Sequence, residues 1–239
     1  MSEKTEDNFE KGIFWELYQD LERQFQSFLE YVPYLPGNET IYSFKLLNLI
    51  LSIGGHVDSA FKEMARYPEF SDNDDCKKIL DLLKESEESI KEGKAPKTVP
   101  IWLSLRAFEK EYELSQKKIM FKRIPEREDV LPFKPCNLKT NAPKWWEIYN
   151  GLKHDVGVNI REANLHNTLN ALAGAFLLNA IHTPAYIRLM EYRFVKPERT
   201  GRVTYTLKPG WKEKIKDWIK KKKRFGIAET PLFIYNYEE

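Results

Sequence analysis

Residues 145–155 read WWEIYNGLKHD, and four of them have the chemistry of a site. On a helix, Asn150 and His154 are four residues apart and share a face, as do Tyr149 and Lys153. An amide, an imidazole, a phenol and an ammonium can therefore meet beside two tryptophans. Histidine is the side chain suited to moving protons near neutral pH. Asn150 and Tyr149 can position an oxyanion, and Lys153 can supply charge to it. The same stretch has a plainer reading. Trp145, Trp146, Ile148 and Leu152 make it equally a core helix that carries one satisfied histidine.

The elements around it are mostly helical. Apolar residues at steps of three and four predict a helix over 14–32 and a second over 43–66. Gly54 and Gly55 lie inside the second, at roughly 1 kcal/mol each relative to alanine, which implies close approach of another backbone. Residues 71–93 begin with Ser and Asp suited to an N-cap and close at Gly93. A linker, KAPKTVP, leads to a short helix, IWLSLRAFEKEY, and then to a strand in KKIMFKRI. The stretch PEREDVLPFKPCNLKTNAP has no periodicity and runs into the motif helix, with Asn141 as its N-cap and Pro143 in its first turn. Residues 163–182 form the most helical segment, rich in small residues, and Pro184 ends it or starts another. Beyond 194 the pattern changes to a strand RVTYTL, a basic helix over 209–224 and a strand PLFIYNY.

Composition sets limits. With 239 residues, 42% hydrophobic and 31% charged, the chain has the makings of a folded core. The longest apolar run, 171–181, is too short to span a bilayer, and the polar start is unlike a signal peptide, so a cytoplasmic protein is expected. Cys76 and Cys136 are read as small buried hydrophobes. The bias to Lys, Glu and Ile with little Gln is that of a thermophile. His56, His154, His166 and His182 lack metal-ligand spacing, and no nucleotide-binding glycine motif or serine-nucleophile motif is present, so no metal and no cofactor are expected. The net charge of +2 divides into −7 over 1–120 and +9 over 121–239, which suits a polyanion at the C-terminal half. Residues 212–224 hold eight basic side chains, among them Lys214, Lys220, Lys221, Lys222, Lys223 and Arg224. They are candidates for phosphate contact, and a solvated basic helix is the alternative.

PKWWEIYNGLKHD followed by ANLHNTLNALAGAFLLN, with IYSFKLLNLILSIGGHVDSAFKEM upstream, resembles a HEPN-like family over roughly residues 10–185. The resemblance implies a mainly α, HEPN-like helical bundle over 1–194, with 195–239 as a small α/β appendage. It also implies a homodimer. In active members an arginine steadies phosphate and a histidine four to six residues on handles a proton, so that RNA is cut without metal. His154 matches the histidine and Asn150 the polar position after the arginine, while Tyr149 occupies the arginine position and leaves the cation to Lys153, Arg161 or Lys144. His56, Asp58 and Lys62 would join the site from the earlier helix; the alternative is an exposed Asp58–Lys62 salt bridge with His56 at the edge of the core. The resemblance thus implies an RNA-binding or RNA-cleaving protein in a defence or toxin–antitoxin setting. The alternative is a non-catalytic scaffold, an inactive relative with a protein partner.

Overall fold

Helix α1 (Ile13–Leu29) buries one face of Phe14, Trp15, Tyr18, Leu21, Phe25 and Phe28, the stripe its spacing prescribes. In the computed structural model, which describes residues 12–67, 70–123, 129–135, 142–192, 194–196 and 227–237, that stripe packs on α2 (Phe44–Ala65) and α7 (Leu165–Ile181). Nearly every residue of α7 is buried, which fits a central helix that is apolar all round. Helix α2 opens at Ser43, whose hydroxyl accepts the Leu46 N–H, and α7 opens at Asn164, whose carbonyl accepts the Asn167 N–H.

The other helices surround this pair. Helix α3 (Asp74–Lys91) buries only Cys76 and Ile79, and Arg106 of α4 (Ile101–Tyr112) grips its first turn with two 2.7 Å bonds to Asp75. The N-cap of α3 is Asn73, not Ser or Asp, because its Oδ1 reaches both the Asp75 and the Cys76 N–H. Helix α5 (Lys144–His154) starts from Pro143 as N-cap, and Asn141 lies outside the described residues. The short α6 (Val156–Asn159) follows, and α8 (Thr183–Glu191) begins directly after α7 with Pro184 in its first turn. Among the described residues no helix is long and apolar enough to cross a membrane.

Among the described residues there are five short strands: β1 (Ile119–Phe121), β2 (Asp129–Val130), β3 (Val195–Lys196), β4 (Ile227–Glu229) and β5 (Phe233–Asn236). They form one antiparallel sheet in the order β2-β1-β5-β4-β3. The molecule is mainly α with this small sheet. The expected boundary after residue 194 does not separate a C-terminal unit. Strand β5 lies between β4 and β1, with Met120 opposite Ile234, and the Phe233 ring stacks on Phe176 of α7 at 5.7 Å. Ala228, Leu232, Phe233 and Tyr235 belong to the core that also holds Phe25 and Phe176. The apolar faces of so short a hairpin need the helices, and β1 supplies the backbone partners that the hairpin lacks. RVTYTL and the basic helix over 209–224 lie outside the described residues.

Candidate functional site

Helix α5 is fastened by its aromatic residues. The Trp145 indole N–H donates to the Pro132 carbonyl at 2.6 Å, and its ring lies where a Cβ on Gly174 of α7 would stand 3.2 Å away. Trp146 packs on Tyr149 with ring centroids 4.9 Å apart. The Tyr149 ring fills a notch over Gly54 of α2, so close that a Cβ there would overlap it. Gly54 thus makes room for a side chain rather than for a backbone, while nothing lies within 4 Å of the position a Cβ would take on Gly55. The last turn of α5 is closed by Asn159, whose amide donates to the Gly151 and Asp155 carbonyls at 3.2 and 2.8 Å. The Asp155 carboxylate accepts the Val158 N–H and starts α6.

This anchoring sorts the four motif residues. Tyr149 is only 6% exposed. Burial and then the charge of Asp58, which pairs with Lys62 on α2, raise the pKa of its hydroxyl, and Lys62 opposes them. Asn150 is half-buried, and Lys153 and His154 are exposed at the C-terminal end. The Lys153 ammonium lies over the Tyr149 ring, 4.9 Å from its centroid, a cation–π contact that holds a flexible cation in one place. Of the other cations considered, Lys144 reaches Glu162 at 3.9 Å and Arg161 is exposed in the turn before α7. The edge can therefore offer an imidazole to solvent beside an ammonium seated on a tyrosine.

Asp58 and Lys62 meet this cluster, but His56 does not. It is buried against Asn179 of α7, whose Nδ2 lies 3.3 Å from its Nε2, and edges onto Phe14 at 5.4 Å. With Nε2 accepting, the proton of the neutral ring is on Nδ1. Burial lowers the His56 pKa to about 4, so it is a neutral packing residue at neutral pH. Cys76 is fully buried, and burial pushes its thiol up to about 12, which makes it inert. Cys136 and the candidate phosphate-binding residues Lys214, Lys220, Lys221, Lys222, Lys223 and Arg224 lie outside the described residues. Among the described residues no group of three or more His, Cys, Asp or Glu could hold a metal ion.

Two polar clusters escaped the sequence reading. The Tyr34 hydroxyl lies 2.9 Å from Nδ1 of His166, whose Nε2 is 3.2 Å from the Asn170 amide. The signal was the four-residue spacing of His166 and Asn170, the α5 pair in reverse order. The second is Glu22, which is 3% exposed. Its carboxyl accepts the Thr230 hydroxyl and, at 3.2 Å, the Leu232 N–H, while burial raises its pKa above the ordinary carboxylate value. Glu22 sits inside the apolar stripe between Tyr18 and Phe25, which is how a sequence betrays a buried carboxyl.

No family model, curated protein or solved structure matches the chain.

Proposed function

We propose that this is a HEPN-like protein that binds RNA at the exposed end of α5 and cleaves it without metal. The observation that carries the reading is an exposed His154 in the same last turn of α5 as a Lys153 ammonium held on the face of Tyr149. His154 would take the proton of a ribose 2′-hydroxyl as its oxygen attacks the phosphorus, the P–O5′ bond would break with the departing 5′-oxygen taking a proton from water, and Lys153 would balance charge on the phosphate. Tyr149 would act as the seat of that cation, and Asn150 would orient the phosphate from the preceding turn. Lys214, Lys220, Lys221, Lys222, Lys223 and Arg224 would add electrostatic attraction that falls with salt. A homodimer is part of the proposal, because the resemblance in the motif region carries it.

A specific observation favours a second reading, binding without cleavage. Tyr149 stands where the resemblance calls for arginine, and its ring is packed on Gly54 of α2 with only 6% of the residue exposed. A lysine is a point charge and lacks the two-pronged geometry of a guanidinium on phosphate.

Cleavage of a mixed RNA panel in excess EDTA separates the two. Cleavage by the wild type that falls about 100-fold or more in His154→Ala is the expected result. Equal rates in both proteins would remove catalysis from α5. RNA binding that persists in that case, and weakens in Lys153→Ala, would leave the non-catalytic reading.

A further inference from the structure

A cavity of about 230 Å³ opens where the β1–β5 ladder ends, lined by Gln116, Lys117, Lys118, Tyr235 and Asn236. The geometry points to a binding site for a small phosphomonoester in this cavity, with Lys117 and Lys118 as its cations.

The lining residues bring two lysines and two amide side chains, Gln116 and Asn236, to one cavity beside Tyr235. None of the five carries a negative charge at neutral pH. Glu109 is engaged elsewhere, accepting both the Ser115 N–H, at 3.0 Å, and the Ser115 hydroxyl. Asp129 of β2 pairs with the Lys118 ammonium at 3.4 Å, and an incoming anion would compete with it there. Lys117 is half-buried and makes no ion pair among the described residues. A partly desolvated ammonium beside a cavity attracts an anion more strongly than one on an open surface.

The turn that presents these lysines is built with unusual care. Glu113 ends α4 in the left-handed region, at φ 50 and ψ 45, the only non-glycine residue with positive φ among the described residues. Such a conformation persists only where its surroundings impose it, and it is concentrated at ligand-binding segments. Here Leu114, fully buried, and the Glu109–Ser115 bonds on either side of it impose the turn. The backbone bonds from Gln116 to Glu113 and from Lys117 to Leu114 then fix where the next side chains start. On the other wall, Tyr235 and Asn236 pair with Ala228 and Ile227 of β4. The cavity is therefore framed by a pinned turn and a central strand. Its volume is below the ~300 to 1,000 Å³ of sites for drug-sized ligands, which suits one phosphoryl group with a small organic body.

This inference does not depend on the RNA reading. Phosphorus NMR titration at low salt, with inorganic phosphate and ribose 5-phosphate as probes, tests it on the full chain. Saturable binding by the wild type is expected, at least tenfold weaker in Lys117→Gln/Lys118→Gln and unchanged in Lys45→Gln, a lysine of the α2 surface. Gln116→Leu keeps both charges but removes an amide, and it should also weaken binding. Circular dichroism checks that each variant is folded. Tighter binding of the sugar phosphate would make a phosphorylated metabolite the ligand, and equal affinity would make it phosphate itself. Absence of saturable binding in the wild type overturns the inference. So does equal affinity in the double variant, which would assign the anion to other basic residues, and so does full affinity in Gln116→Leu, which would reduce it to diffuse charge.

Discussion

At Gly54 the α2 backbone makes room for the Tyr149 ring, whereas at Glu22 the α1 side chain reaches out to Thr230 and Leu232. Both contacts join a later segment to an early helix. The first works by shape: α5 stays because its ring fits a space that only glycine leaves. The second works by hydrogen bonds to a buried carboxyl: the hairpin stays because its turn satisfies an acid that would otherwise be stranded. A seam made by shape should be indifferent to pH and intolerant of added atoms. A seam made by a carboxyl should tolerate isosteric exchange and respond to pH.

The largest expected effect breaks the shape seam. Gly54→Ala should cost about 3 kcal/mol or more, because the new methyl group meets an aromatic ring held by Trp146 on its other side. Thermal unfolding measures it. Adding Tyr149→Leu should return part of that loss, and a fully additive pair would refute the steric account. Next comes the polar seam. Glu22→Ala should cost about 2 kcal/mol, since it leaves the Thr230 hydroxyl and Leu232 N–H without their acceptor. Glu22→Gln keeps an acceptor in place and should cost far less. It should also flatten the pH profile: with its pKa raised in the fold, Glu22 makes the folded state bind more protons than the unfolded chain, so stability falls as pH rises from 4.5 towards that higher value. Urea unfolding at pH 5 and pH 7 reads the difference.

The α2–α7 seam sharpens the comparison, because it contains a buried base in place of a buried acid. His56 ionises at about 4 in the fold against an ordinary 6.5, so the unfolded chain binds more protons between these values. Stability that is complete above pH 6.5 should fall as the pH drops towards 4, by about 2 kcal/mol at pH 5. His56→Leu with Asn179→Leu should remove this acid limb and leave the Glu22 response intact. The two limbs have opposite signs, so pH-dependent unfolding of the two sets of variants separates them.

The helices were legible because their apolar spacing is local: 43–66, 71–93 and 163–182 each contain an observed helix, and 14–32 misses only the first residue of α1. The first and last strands of the sheet to be anticipated, in KKIMFKRI and PLFIYNY, were legible for the same reason. Their pairing with each other was not, because no periodicity records which distant strand lies alongside. Strand β2 is two residues long and hid in a segment without pattern. At the motif, the spacing placed Tyr149 and Lys153 together, and they do touch, but the notch over Gly54 that holds the Tyr149 ring belongs to another helix. Of the two readings of His56, the structure shows the core one, a buried histidine inside the apolar stripe of α2.

The Glu22–Thr230 bond joins residues 208 positions apart. Closing so long a loop carries an entropic cost that helix pairs near one another in the chain do not meet, and contacts of this kind form late. The hairpin covers the β1 edge that β2 leaves open. Until it does, an open strand edge is available to another chain, so this one carboxyl guards the slow step at which the protein is most exposed to aggregation.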